Sequence, residues 1–274
     1  RTFAGKQGGA YEASICDVDV RGDRALPYRM SVSAAPHVLA TVPAVGQRGA
    51  SQDVTFVGYG VATGAAKLET VQQKVAFPTD PKQDALIYRL KTPHGEAAAV
   101  SIPLSDAVQV VRPDNSHGKP LPLDLPSELT GVLSEPFAEH TFALSGKKGD
   151  VWKFDVRSAQ LGSALDLALA IRNAEGTEVA RADDLTDSTD PALVYTIPAD
   201  GDYTLAISDI SGNSGNPAAV YHLLSEMGHA EFTLLVPEMV AAPIGGVGKL
   251  ALKATRSPGF KDPITITLTG LPQG

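Results

Sequence analysis

Cysteine is nearly missing from this chain of 274 residues. Cys16 stands alone, so no disulfide can close within the chain and no cysteine-based metal centre can be assembled. A lone thiol does not decide the compartment, because many secreted proteins with adequate cores carry no disulfides. Clustered Lys and Arg are also missing. With a net charge of −8 and no basic patch, the chain lacks the clustered positive charge from which phosphate binding draws its affinity, which excludes nucleic acid as a partner. Long apolar runs are missing as well. The longest, such as 234–244, is broken by Pro237 and Glu238 and is too short to span a bilayer, and no signal peptide is visible. Nor does any stretch carry a sustained helical stripe of apolar residues. The helical expectation is confined to 62–72.

What is present points to β-structure. Apolar residues make up 43% and charged residues 20%, enough to build a core, and 26 Gly and 20 Pro punctuate short runs rich in Val, Ile, Thr, Leu and Phe. Strands are expected at 28–33, 54–59, 86–91, 98–102, 107–111, 140–144, 151–156, 165–171, 194–197, 203–207, 221–224, 231–236, 249–254 and 264–269. Trp152, Phe154 and Val156 alternate with Lys153 and Asp155, so one face of that strand is core and the other meets water. Ile264, Ile266 and Leu268 alternate with threonines in the same way. Gly149-Asp150, Glu175-Gly176 and Asp200-Gly201 are turn pairs that join antiparallel strands, and three in one region predict a meander. The fold class expected is all-β, as tandem β-sandwiches of Ig-like and jelly-roll type with little helix.

At this length more than one core is expected. Arg112 to Pro122 is dense in Pro and polar turn formers and reads as a linker. Further boundaries fall near Ala35 and Gly228. Ile15-Cys-Asp17, Arg21-Gly22 and Tyr28 to Val32 echo Ile207-Ser-Asp209, Ser211-Gly212 and Tyr221 to Leu224, so 1–34 reads as the tail of a domain of the same type as 113–228. Both ends read as cut, and the chain is expected to be a segment of a longer protein.

Residues 113–228 resemble the bacterial pre-peptidase C-terminal (PPC) domain. The residues that carry the resemblance are Pro113 to Ser116, Leu121 to Leu123, Gly131 to Leu133, Phe142, Lys147 to Gly149, Trp152 to Val156, Gly162 to Asp166, Asn173 to Gly176, Asp183-Asp184 and Ala199 to Tyr203. The chain departs from the pattern at Arg112, where the family has an acidic residue before the Pro. The resemblance implies a jelly-roll β-sandwich that serves as an accessory to secreted peptidases and large surface proteins, similar in fold to the collagen-binding modules of collagenases. Residues 35–112, with Pro43, Gln47 to Gly49 and Val54 to Gly60, resemble an Ig-like sandwich, and 229–274, with Gly245-Gly246, Lys249 to Leu252, Arg256, Gly259-Phe260 and Leu268 to Pro272, the first half of another. Such an array resembles secreted, periplasmic or cell-surface multidomain bacterial proteins.

No motif carries catalysis. Gly58-Tyr-Gly60 misses the dinucleotide fingerprint, Gly245 to Lys249 lacks the Ser or Thr of a phosphate loop, the six histidines have no metal spacing, and Ser214 lacks a nucleophile elbow. Arg21-Gly22-Asp23 is read as a turn. The one metal expectation is calcium at Asp183, Asp184, Asp187 and Asp190, with Asp166 and Asp202 within reach, because hard cations take several oxygens from acidic loops. The expected function is therefore a non-catalytic binding or spacer module for an extracellular polymer or partner protein, without membrane insertion. Any catalytic domain, such as a peptidase, would lie elsewhere in the parent chain. The competing reading is a structural subunit that assembles with neighbouring chains in a surface layer, fibre or large complex.

Overall fold

The computed structural model describes residues 8–15, 30, 32–116, 118–184, 189–228, 231–237, 239, 246, 248–256, 260, 262–267 and 269–270. The architecture is nearly all β, in tandem sandwiches. A single 3₁₀ turn, Ala159–Leu161, is the helical structure among the described residues, and no helix there is long and apolar enough to cross a membrane. The echo over 15–32 and the Arg21-Gly22-Asp23 turn lie largely or wholly outside the described residues. The chain divides into two compact units, Arg1–Val111 with Leu161–Ser163, and Arg112–Gln160 with Ala164–Gly274.

The first unit holds β1 (His37–Val42), β2 (Gly46–Gln47), β3 (Ser51–Tyr59), β4 (Leu68–Ala76), β5 (Ala85–Tyr88), β6 (Lys91–Thr92), β7 (Gly95–Glu96), β8 (Val100–Ser105) and β9 (Gln109–Val111). One sheet runs β1-β3-β4 and a second β2-β8-β5, with β6 and β7 forming a small hairpin. Val54 and Phe56 from β3, Val75 from β4 and Ile102 from β8 meet in one core with Val61, Phe77, Leu90 and Ala97. Phe56 stacks on Tyr88 at 5.2 Å. The helix expected over 62–72 is absent. Residues 61–67 form an irregular bend, and β4 pairs along its whole length with β3, from Ser51 opposite Ala76 to Tyr59 opposite Leu68. Glu69 holds that bend by accepting hydrogen bonds from the Ala62 and Thr63 amides and from the Thr63 hydroxyl. Within β3, Gly58 lets β1 approach closely, since a Cβ there would stand 2.1 Å from the His37 carbonyl.

The second unit holds β10 (Leu121–Pro122), β11 (Ser127–Val132), β12 (Glu139–Gly146), β13 (Val151–Arg157), β14 (Leu167–Arg172), β15 (Glu178–Ala182), β16 (Ala192–Thr196), β17 (Gly201–Asp209), β18 (Val220–Gly228), β19 (Phe232–Leu235) and β20 (Lys253–Arg256). One sheet runs β10-β12-β17-β14-β15. In the facing sheet β16, β13, β18 and β11 lie side by side in that order. The alternation read at Trp152, Phe154 and Val156 puts all three in the core, and Trp152 meets Tyr203 of the opposite sheet edge-on at 5.5 Å. Its ring lies over Gly146, where a Cβ would approach to 2.6 Å. The Tyr203 hydroxyl donates to the Ala199 carbonyl four residues upstream at 2.8 Å.

The three turn pairs do not build a meander. Glu175-Gly176 does close a hairpin between neighbours β14 and β15, but Gly149-Asp150 carries the chain from β12 to β13 and Asp200-Gly201 from β16 to β17, each a crossing between sheets. The chain weaves from one layer to the other, as in a jelly roll. The strand expected at 264–269 is not formed by the described residues there, and β20 begins at Lys253 rather than 249. Alternation supplies an amphipathic face, but pairing needs a partner edge, which β20 finds in β19.

Candidate functional site

The weaving brings one set of loops to one end of the second sandwich. In the first sheet Glu139 stands opposite Ser208 and Leu167 opposite Asp209, and in the second Val132 stands opposite Val220 and Arg157 opposite His222. Loops 133–138, 158–166 and 210–219 therefore share that end, with the described residues 183–184 and 189–191 between β15 and β16. Asp166, Asp183, Asp184 and Asp190 belong there, and Asp202 does not. Asp202 sits at the opposite end, accepting from the Ser145 hydroxyl at 2.6 Å.

The structure separates the remaining acids. Asp190 is buried (2% exposed), and its carboxylate accepts from the amides of Ser158 and Ala159 at 2.8 Å, from the Gln160 amide at 3.1 Å and from the Ser158 hydroxyl at 3.0 Å. It caps the start of the 3₁₀ turn, and its oxygens are committed there. Asp183 and Asp184 lie in the exposed loop after β15, with the Asp184 amide donating to the Asp183 carboxylate. Asp187 lies outside the described residues. Asp166 faces this acidic group. Burial first, and then the charges of Asp184, Asp209 and Asp183, push its carboxyl above the usual 3.8. Asp209 behaves oppositely. Burial would raise it, but donation from the Ser211 hydroxyl and from the amides of Ser214, Asp166 and Ser211 holds it low. Among the described residues no group of three or more His, Cys, Asp or Glu is arranged to hold a metal ion.

A network that sequence reading missed lies beneath this end. His140 on β12 is fully buried, its Nδ1 2.8 Å from the Tyr221 hydroxyl and its Nε2 3.1 Å from Asp114 Oδ1. An ionised carboxylate only accepts, so Nε2 carries the hydrogen and donates to Asp114, while Nδ1 accepts from the Tyr221 O–H. Burial pushes the His140 pKa down, opposed by the Asp114 charge, and burial also pushes the Tyr221 phenol up. Asp114 is pulled well below the usual range despite its burial, by donation from Ser116 and Ser134 and by His140. The segment read as a linker is thus fastened. The Arg112 amide donates to the Thr130 carbonyl at 3.0 Å, and Asn115, itself buried, donates through Nδ2 to the Thr141 carbonyl at 2.6 Å. Acid, imidazole and hydroxyl form a chain here, but His140 and Tyr221 are sealed from solvent, so the chain serves to position the segment and presents no nucleophile.

The loops above carry an exposed aromatic. Phe137 adopts a φ of 55°, unlike every other non-glycine residue described, and 73% of it is exposed. Its amide donates to the Ser214 hydroxyl at 2.9 Å, which assigns Ser214 a structural task. Beneath its ring lies Gly212 (φ 74°), where a Cβ would stand 2.9 Å from the ring, and beside it Pro136 packs on Gly215 (φ 89°). Asp209 locks the same loop through the Ser211 and Ser214 amides. The structure thus holds an exposed aromatic at positive φ over a loop fixed from below.

No family model matches the chain, and no curated protein matches it in sequence. The chain is similar to solved structures. One is the Aeromonas hydrophila PliG, a periplasmic inhibitor of g-type lysozyme, at 12% identity and a TM-score of 0.30, over 44% of this chain and 100% of that one. Another is the pre-peptidase C-terminal domain of a Bacillus anthracis collagenase, at 13% identity and a TM-score of 0.30, over 42% and 98%. A third is the CBM51-2 and INT domain structure of Clostridium perfringens ZmpB, in complex with GlcNAc, at 10% identity and a TM-score of 0.26, over 72% and 41%.

Proposed function

We propose that this chain is a non-catalytic accessory segment of a secreted or cell-surface bacterial protein, and that it binds an extracellular polymer or partner through the loop end of its second sandwich. In this reading 35–112 is an Ig-like sandwich, 113–228 a PPC-like jelly roll, and the flanking stretches are parts of further sandwiches. The observation that carries the reading is Phe137, exposed and held at positive φ by contacts that fix its loop from beneath. The hydrophobic cost of displaying one ring to water is recovered when a ligand covers it.

The test is co-sedimentation of the full chain with insoluble collagen, chitin, cellulose and peptidoglycan, each with calcium and with a chelator. The chelator arm reads the proposed calcium contribution of Asp183 and Asp184. Saturable binding to one polymer is expected. Failure to sediment with any of the four, at concentrations that register weak modules, would count against the binding reading.

A further inference from the structure

Building on the binding reading above, we infer that the Phe137 platform takes a neutral saccharide. The exposed apolar area is small. A phenylalanine ring covers on the order of 150–250 Å² when fully buried, whereas a stable protein interface removes roughly 800 Å² from each partner. Phe137 is the one large apolar side chain exposed on loop 133–138, and loop 210–219 adds only Ile210. This apolar area matches the C–H face of a sugar ring better than a protein surface.

Loops 133–138 and 210–219 contain no Lys or Arg, and the acids Glu135, Asp209, Asp114 (bonded to Ser134) and Glu139 adjoin them. Arg172 is committed to Glu139 by two hydrogen bonds, so sulfated or uronate-rich chains would meet a surplus of negative charge. Asn213 donates one amide hydrogen to the Ala164 carbonyl and Asn216 one to the Asn213 carbonyl, which orients both groups. A side-chain amide has two N–H donors, so each keeps a second for a ligand hydroxyl. A ring seated on Gly212, with oriented amides on residues of the same 210–219 loop, is the chemistry that receives a neutral sugar, the ring against its C–H face and the amides against its hydroxyls.

The experiment is affinity electrophoresis of the full chain through native gels that contain β-glucan, xylan or galactomannan, with dextran sulfate as the anionic comparison. The wild-type chain should be retarded in at least one neutral gel. Phe137→Ala should weaken that retardation by about tenfold or more. Phe137→Gly removes the ring and relieves the backbone, so it should bind as poorly while melting no lower than wild type, which separates loss of contact from loss of fold. The inference is overturned if no neutral gel retards the wild type, if Phe137→Ala is retarded equally, or if only dextran sulfate retards the chain. Sedimentation with collagen that Phe137→Ala abolishes, without retardation in neutral gels, would overturn the saccharide and leave the binding reading standing.

Discussion

His140 Nε2 lies 3.1 Å from Asp114 Oδ1, which fastens the segment entering the second sandwich to a fully buried imidazole on β12. Burial holds the His140 pKa below its ordinary 6.5. The unfolded chain therefore binds a proton near that pH that the folded chain refuses. Stability contributed by the neutral ring is complete above 6.5 and is lost as pH falls from 6.5 toward the folded value. The melting temperature should be flat above about pH 7 and decline as the pH falls below about 6.5. In His140→Gln this decline should shrink, on a lower baseline. An unchanged slope in the variant would assign it to other groups.

Two aspartates of one loop should behave in opposite ways. Asp190 satisfies the amides of Ser158, Ala159 and Gln160 and the Ser158 hydroxyl, so Asp190→Ala orphans buried donors and should cost about 3 kcal/mol in urea unfolding. Asp183 is exposed, and Asp183→Ala should stay within about 0.5 kcal/mol of wild type.

These contrasts show what the sequence could and could not disclose. The core face of Trp152, Phe154 and Val156 is local, written in alternation two residues apart, and it was legible. Residues 62–67, rich in Ala and Gly, mimic the start of a helix, while β4 is decided by its pairing with β3, which no local pattern displays. The role of Asp114 depends on His140, 26 residues away, and through it on Tyr221, a further 81 along the chain. The φ of Phe137 depends on Ser214, 77 residues away. Acid spacing alone grouped Asp190 with Asp183 and Asp184, because sequence distance cannot tell a buried cap from a solvated loop. Pattern reveals faces, whereas sites are made by residues that meet only after the sheets have closed.

Gly131 is the pivot of the buried network. A Cβ there would stand 2.3 Å from the Tyr221 ring, and that ring is packed on all sides with its hydroxyl directed at His140. Gly131→Ala should cost about 1–3 kcal/mol through overpacking. It should also displace the phenol, so that the His140 imidazole signal followed by NMR titrates at a different pH from wild type. A destabilised variant with an unchanged His140 titration would mean that the tyrosine does not help to set the imidazole.

In the first unit, Glu69 holds the bend that replaces the expected helix. Donation from the Thr63 hydroxyl and amide, and from the Ala62 amide and Lys67, brings its pKa from 4.5 down to about 2 against the opposing effect of burial. A carboxylate depressed in the fold contributes stability that is present above 4.5 and lost as pH falls from 4.5 toward about 2. The amide signals of Ala62 and Thr63 report this directly, since both donate to Glu69 Oε2 at 2.9 and 2.8 Å. They should titrate together with a midpoint near 2, and Glu69→Gln should abolish the titration while exchange of both amides with solvent quickens. A midpoint near 4.5 would show that the bend is not held by the ionised carboxylate, and that the course of 61–67 is set instead by β3 and β4 closing on either side of it.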